Sequence, residues 1–297
     1  LTSAGDHIFF FIEGYSPTRQ IIRKLLARFG VTHTMLSIED LPALERELAA
    51  RPTRLVFFES PTNPVNKIAD IAAITRLARQ HGALTVLDNT AAGFHQHGQF
   101  DVDVFIHSLT KFTTGAGDVM GGAVIADESI IAPMRADYAL LGAQLDALSA
   151  SLMVRGMKTY FVRYRTQSAA ALQIANFLEA HPAVSKVRYP GLESHAHAAL
   201  ARAQMSDFGT VITFDLRAGF EAGRTFAESL HLFARTPSFG STESLVVPPQ
   251  MMQPRDFSPA ELLVSDIGPG TVRLSIGLED PLDLQTDLSR SLELAAR

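Results

Sequence analysis

Two segments, LTVLDNT (84–90) and VFIHSLTKF (104–112), decide the fold. Each begins with a short apolar run and ends in polar side chains, among them Asp88 and Lys111. Apolar runs of about four to eight residues that are bounded by polar or turn-forming residues are typical of buried strands. The two segments therefore predict neighbouring strands whose ends carry an aspartate and a lysine.

Working outward, similar runs alternate with stretches of helical period. Strands are predicted at 8–13, 54–60, 121–126, 210–216 and 271–277, and helices at 17–30 and 70–82. In the first helix, Ile21, Leu25 and Leu26 share one face, and a glycine ends each helix. The alternation indicates parallel βαβ units, and therefore an α/β fold with a mostly parallel sheet flanked by helices.

The second half of the chain has a different pattern. Residues 128–180 are largely helical, and the last third mixes strands and helices as a smaller α+β domain would. We therefore predict two domains, 1–145 and 146–297, with a connecting helix at the start of the second.

The composition excludes several classes of protein. The 297 residues are 46% hydrophobic and 19% charged with a net charge of −5, which fits a folded enzyme rather than a partner of nucleic acid. The chain has no cysteine and no apolar run of the roughly 20 residues that would span a bilayer. Disulfides and thiolate metal sites are excluded, and we expect a cytoplasmic protein that contacts no membrane.

The strand ends suggest a specific chemistry. In an open parallel sheet, ligands bind beyond the carboxyl ends of the strands, where Asn63, Asp88 and Lys111 are expected. A lysine can condense with the aldehyde of pyridoxal phosphate, and a carboxylate can keep the ring nitrogen protonated. Ser108 and Thr110 flank Lys111 and could bind the cofactor phosphate through their hydroxyl groups.

Several motifs, taken together, resemble one enzyme family. ESPTNP, VLDNT, HSLTKF followed by GAGDVMGG, RGMKT and VRLSIGLED stand in the motif order of the Cys/Met-metabolism pyridoxal phosphate enzymes, from residue 1 to the C-terminus. The resemblance implies the aspartate aminotransferase type of fold (fold type I), an amino-acid substrate and a homotetramer built from dimers. The chain opens on LTSAGDHI rather than methionine, so we expect it to begin partway through a longer protein, with the family's Tyr-x-Arg segment upstream.

The resemblance also implies a role for each site residue. Lys111 matches the family's catalytic, cofactor-binding lysine and Asp88 its ring-nitrogen partner. Tyr15 matches the tyrosine that stacks on the cofactor and assists proton transfer, and Arg273 the arginine that binds the substrate carboxylate. The remaining matches are the phosphate contacts Ser108 and Thr110 and the carboxylate-pocket residues Asn63 and Ser238.

The finer function depends on where the chain departs from the family pattern. Many members read Ser-Leu-Gly-Gly where this chain reads Ser238-Phe239-Gly240-Ser241, and Pro237 replaces a residue that is often glutamate in γ-acting members. The aromatic Phe239, GYSPTR (14–19) and the GLEDPLDL ending (277–284) resemble the bacterial β-lyases. The resemblance therefore favours a carbon-sulfur lyase of the cystathionine β-lyase type, acting on cystathionine-like substrates. The alternative is γ-elimination or γ-replacement, as in cystathionine γ-lyase, cystathionine γ-synthase or O-acylhomoserine sulfhydrylase.

Other classes of function have weaker support in the sequence. GAGDVMG (115–121) is a poor dinucleotide fingerprint, since its third glycine is one place late and a strand is expected after it. His95-x-His97 and His195-x-His197 lack a third metal ligand at a familiar spacing, so no metal is predicted. The basic segment RGMKTYFVRYR (155–165) is interpreted as an interdomain or subunit face rather than an RNA site. A non-catalytic relative of the fold is the remaining alternative.

Overall fold

The computed structural model describes residues 1–252, 254 and 257–296, which form two compact units. The first consists of Leu1–Asn63, Lys67–Ser108 and Gly121–Ala150, and the second of Pro64–Asn66, Leu109–Met120 and the chain from Ser151 onward. Lys111 thus belongs to the second unit, although it follows a strand of the first.

The first unit is built on a six-stranded sheet with helices on both faces. Its elements, in chain order, are β1 (His7–Phe11), α1 (Ser16–Gln20, continued by a π turn at Ile21–Leu25 and a 3-10 turn at Leu26–Phe29), β2 (Thr32–Leu36), α2 (Leu41–Ala50), β3 (Leu55–Glu59), α3 (Ile71–Gln80), β4 (Leu84–Asp88), β5 (Val104–Ser108), β6 (Gly122–Ala126) and α4 (Glu128–Leu141).

The strand order β2-β1-β3-β4-β5-β6 places the predicted site strands side by side. The first five strands are parallel, and β6 runs antiparallel to β5. One face of the sheet packs on α2 and α3 through a core that includes Leu44, Ile71 and Ile74. The opposite face has a second core, with Ile22 of the π turn packed against strand residues such as Phe10. The predicted α/β class and mostly parallel sheet are confirmed.

The buried face of the first helical stretch differs from the prediction. Ile22 is 4% exposed and Leu26 is partly buried, whereas Ile21 and Leu25 are 49% and 45% exposed. The stretch passes from α to π to 3-10 geometry, so the spacing of 3.6 residues per turn on which the prediction relied does not hold. The glycine stop is confirmed, because Gly30 ends the stretch with a left-handed φ of 79°.

The second unit is an α+β arrangement around a five-stranded sheet of order β7-β8-β11-β10-β9. Its elements are α5 (Ala147–Met157, which begins in the first unit), α6 (Tyr160–Ala180), β7 (Val184–Arg188), α7 (Ala198–Gln204), β8 (Val211–Leu216), α8 (Gly219–Ser229), β9 (Ala234–Arg235), β10 (Leu245–Val247), α9 (Pro249–Met252), α10 (Pro259–Val264), β11 (Thr271–Ser275) and α11 (Pro281–Ala295).

The core of the second unit lies between this sheet and three helices. Ile174 of α6, Phe226 of α8 and Leu288 of α11 are completely buried against strand residues such as Phe214 and Leu274. The predicted helical run over 128–180 and the predicted strands at 210–216 and 271–277 are confirmed by α4 to α6, β8 and β11. No helix in the described ranges is long and apolar enough to cross a bilayer.

Candidate active site

Asp88 closes β4 and is linked by hydrogen bonds to the end of β5. Thr90 donates to Asp88 Oδ1 from its backbone N–H at 3.0 Å and from its hydroxyl at 2.6 Å. The same hydroxyl accepts the backbone N–H of Ser108 at 2.8 Å. Burial raises the pKa of Asp88, and the two hydrogen bonds from Thr90 oppose the shift. Two predicted site residues, Asp88 and Ser108, are therefore joined through Thr90, whose role the sequence analysis missed.

A second carboxyl group lies beside Asp88 at the end of β3. Glu59 and Asp88 are register partners on adjacent parallel strands, and register partners place their side chains on the same face of a sheet. Burial, followed by the charge of Asp88, raises the pKa of Glu59 well above its ordinary value. Glu59 was not among the predicted site residues. The only local sequence signal for it is that a carboxylate stands at a strand end before PTNP.

Glu59 fixes the backbone of two predicted site residues. Its Oε2 accepts the N–H of Tyr15 and its Oε1 the N–H of Asn63, both at 2.8 Å. The charge of Arg19 acts on Glu59 as well and opposes the rise in its pKa. Tyr15 itself is 48% exposed, so its phenol ring is open to a ligand. In the first unit the structure therefore brings Tyr15, Asn63 and Asp88 to one carboxyl edge of the sheet.

In the second unit, Lys111 stands in the turn that follows β5 and points toward the loop before β10. Its Nζ donates to Ser238 Oγ at 2.9 Å and lies 5.1 Å from the centroid of the Phe239 ring. Burial, and then the nearby charge of Arg273, lowers the pKa of Lys111. A lowered pKa favours the free amine, which is the form that attacks a carbonyl carbon.

Arg273 approaches the same loop from the central strand β11. It is 7% exposed, so it is not a surface charge. Its Nη2 donates to the carbonyl oxygen of Ser238 at 2.7 Å, and its guanidinium carbon lies 6.0 Å from the centroid of the Phe239 ring. The structure thus brings the predicted residues Lys111, Ser238 and Arg273 together, with Phe239 as an additional wall.

These residue types fit pyridoxal phosphate. Lys111 offers an amine with a lowered pKa, which the aldehyde requires, and Asp88 offers a partly buried carboxyl group for a protonated ring nitrogen. Ser108, the last residue of β5, and Thr110 carry hydroxyl groups and precede Lys111 closely in the sequence. A planar guanidinium such as that of Arg273 suits a carboxylate, which it can bind with two parallel hydrogen bonds.

Three histidines of the two His-x-His pairs contact other side chains. His97 is completely buried, and its Nδ1 lies 2.7 Å from Asn89 Oδ1. His195 and His197 contact each other edge to face, with ring centroids 5.7 Å apart. Burial lowers the pKa of His97 and of His195 to about 4.

The basic segment 155–165, which we interpreted as an interdomain or subunit face, contains one buried cation. Arg155, Lys158 and Arg165 are exposed, but Arg163 is 8% exposed and lies against the turn after Lys111. Helical spacing distinguishes the faces of a helix but does not show which face is covered, so the sequence did not reveal this buried charge.

Comparison with known proteins gives a consistent result. Residues 1–293 match the family model described as Cys/Met metabolism PLP-dependent enzyme. L-methionine gamma-lyase of Pseudomonas putida is 37% identical over 100% of this chain and 75% of its own length. Cystathionine gamma-synthase 1 of Nicotiana tabacum, a chloroplastic protein, is 36% identical over 99% of this chain, which spans about half (55%) of that relative.

A solved structure also matches over nearly the whole chain. The crystal structure of an O-acetylhomoserine (thiol)-lyase of Campylobacter jejuni has a TM-score of 0.92 and 30% identity, and the match covers 99% of this chain and 78% of that one. That structure carries a pyridoxyl-lysine monophosphate.

Proposed function

Since the chain belongs to the Cys/Met metabolism family of PLP-dependent enzymes, we propose that it acts at the γ-carbon of sulfur amino acids or of activated homoserine. The observation that carries the proposal is the cluster of Lys111, Ser238 and Arg273, in which a lysine amine of lowered pKa stands beside a buried guanidinium. The names of the relatives, γ-lyase and γ-synthase, favour the γ-acting alternative over the β-lyase that the sequence analysis preferred.

The proposed roles follow from the chemistry of the side chains. Pyridoxal phosphate supplies an electron sink for the substrate's α-carbon when it is bound. Arg273 binds the α-carboxylate through its two-pronged guanidinium and orients the substrate. Lys111 moves protons between substrate carbons, because burial and Arg273 hold its amine nearer to the neutral form than an exposed lysine would be.

The other predicted site residues complete the proposal. Asp88 would keep the ring nitrogen protonated, and Tyr15 would pack against the cofactor and assist proton transfer. Ser108 and Thr110 bind the phosphate, and Asn63 lines the carboxylate pocket together with Ser238.

A product assay tests the function. We expect the purified protein, loaded with pyridoxal phosphate, to release 2-oxobutyrate from methionine or cystathionine, or to form a thiol or thioether from O-acetylhomoserine and a sulfur donor. Lys111→Ala should abolish both turnover and the pyridoxyl label that borohydride fixes to this lysine, whereas Lys186→Ala, which changes a lysine that is 52% exposed, should keep both. Pyruvate from cystathionine would support the β-lyase instead, and an active, labelled Lys111→Ala protein would remove the role of Lys111.

A homotetramer in the cytoplasm is part of the proposal. Apolar side chains are exposed on three helices, among them Leu140 and Leu141 of α4 (87% and 80%), Leu148 of α5 (70%) and Val162 of α6 (72%). Exposed apolar surface of this kind is typical of subunit contacts. Light scattering on the purified protein should give the mass of four chains, and a monomer at micromolar concentration would contradict this assembly.

A further inference from the structure

Arg163 is a buried cation next to the turn that carries Lys111. Its Nη2 donates to the carbonyl oxygens of Phe112 at 2.9 Å, Thr113 at 3.2 Å and Gly156 at 2.9 Å. Its Nε donates to Thr159 Oγ1 at 3.0 Å. Among the described residues, the acceptors of Arg163 are therefore all neutral oxygens.

A guanidinium in this position is costly to the fold. Burial lowers the pKa of Arg163, which shows that its charged form is penalised there. A buried charge without an opposite charge is retained only where its hydrogen bonds replace those of water. The carbonyl groups of Phe112 and Thr113, in residues that are 3% and 1% exposed, would lose a donor if Arg163 were removed.

Two glycines leave room for this arrangement. Gly115 has a left-handed φ of +70°, and a Cβ atom there would overlap the guanidinium of Arg163. A Cβ atom on Gly156 would overlap the carbonyl oxygen of Thr113 and lie 2.7 Å from the Cα atom of Thr114. The turn after Lys111 and the end of α5 can therefore approach Arg163 only because both positions lack side chains.

The same turn contacts the loop that faces Lys111. The carbonyl oxygen of Gly115 accepts the N–H of Thr242 at 2.7 Å. The ring of Phe112 lies 5.8 Å from that of Phe239 and 4.8 Å from that of Tyr164 on α6. Residues 112–115 thus connect Arg163 to the loop that faces the Lys111 amine.

We infer that Arg163 is a positioning residue, which fixes the turn after Lys111 so that the amine stays hydrogen-bonded to Ser238. The inference rests on the proposed function only for the consequence to catalysis, because the hydrogen bonds hold whatever Lys111 does. It also accounts for the burial of Arg163, whereas Arg155, Lys158 and Arg165 of the same basic segment are exposed.

The test compares Arg163→Lys with Arg165→Lys, an exposed arginine on the same helix whose guanidinium lies over the Phe161 ring at 5.6 Å. Lysine at 163 keeps the charge but cannot hold three carbonyls and a hydroxyl at once. The primary readout is competitive acylation of Lys111 over a range of pH, measured by peptide mass spectrometry on protein without cofactor. We expect Arg163→Lys to raise the acylation midpoint of Lys111, and Arg165→Lys to leave it unchanged.

Kinetics provide the second readout. A misplaced amine should lower kcat by about 10- to 100-fold, while KM for the amino acid should change less than about threefold because Arg273 is untouched. Equal acylation midpoints and equal kcat in the two variants would overturn the inference.

A milder variant keeps the inference testable if Arg163→Lys does not fold. Thr159→Val removes only the hydroxyl that accepts from Arg163 Nε, and we expect it to shift the Lys111 midpoint in the same direction by a smaller amount. If Arg163→Lys is unfolded by circular dichroism, an unchanged midpoint in Thr159→Val overturns the inference. Failure of the proposed function is a separate result, since the wild-type protein would then release no 2-oxobutyrate and form no γ-replacement product, whatever the acylation profile.

Discussion

The position of Asp88 at the end of a strand affects the pKa of its carboxyl group. It shares a face with the buried Glu59, and burial raises the pKa of both carboxyl groups. Two carboxyl groups this close, each partly desolvated, resist carrying two negative charges. A protonated ring nitrogen bound at Asp88 would relieve that penalty, so the two carboxyl groups are well suited to a cationic heterocycle.

Asp88→Asn tests this property directly. The amide keeps the shape of the side chain but removes its charge, so a charge-assisted hydrogen bond worth roughly 1.5 to 3 kcal/mol is lost. We expect pyridoxal phosphate to bind about ten- to a hundredfold more weakly, measured by absorbance titration of the cofactor.

Asp103→Asn is the matched control. Asp103 also accepts from a threonine, Thr85, by backbone N–H at 2.7 Å and hydroxyl at 2.6 Å, but it stands before β5 rather than at a carboxyl end. Wild-type cofactor affinity in Asp88→Asn would show that this carboxylate does not bind the ring nitrogen.

The site residues differ in how far the sequence could predict them. Lys111 and Asp88 follow apolar runs, so their positions at strand ends were predictable from local pattern. Glu59 was not, because its pairing with Asp88 depends on the register of two strands separated by α3. Arg163 was missed for a related reason, since its burial depends on which elements cover its helix.

At the scale of elements, prediction succeeded where a periodic pattern met a clear end signal. In α3, Ile71, Ile74 and Leu77 face the core, Asp70 begins the helix, and a glycine with a φ of 70° follows it. For the stretch after Tyr15, the predicted buried face was wrong because the hydrogen-bonding pattern changes within three turns. The sequence analysis assigned nothing to β2, in which polar and apolar residues mix at a sheet edge, or to the two-residue β9.

The start of α3 supports a quantitative prediction. Asp70 Oδ1 accepts the N–H of Ala73 at 2.9 Å, which satisfies one of the open donors of the first turn. Asp70→Ala should lower the free energy of unfolding by about 1 kcal/mol, and Asp70→Asn, which keeps an acceptor, by much less. Urea titration at neutral pH measures both, and equal losses in the two variants would assign the effect to charge rather than to capping.

At the scale of the whole molecule, the structural class of each unit was predictable, but the segments of the chain that make up each unit were not. The switch from βαβ alternation to a helical run and then to mixed elements indicated an α/β part followed by an α+β part. Local pattern could not show that Leu109–Met120, although it lies between two strands of the first sheet, packs with the second unit. Its position is fixed by distant contacts such as those of Arg163 and Thr242.

Buried histidines in the first unit should reduce the stability of the fold in acid. His97 and His107 are 0% and 4% exposed, and burial lowers the pKa of each from 6.5 to about 4. Between those values the unfolded chain binds more protons than the folded one, so the free energy of unfolding falls as pH falls. The raised pKa values of Glu59 and Asp88 act in the opposite direction, because these groups hold protons in the folded state.

His107→Phe isolates the histidine contribution. His107 packs on the Phe94 ring with centroids 4.5 Å apart, and phenylalanine keeps a ring there but cannot be protonated. Urea titrations at pH 7 and pH 5 should show that the variant loses about 1 to 2 kcal/mol less stability on acidification than the wild type. Because the two carboxyl groups are unchanged in the variant, their opposing contribution cancels in the comparison. An identical pH dependence in both proteins would mean that His107 titrates normally in the folded state, and hence that water reaches it.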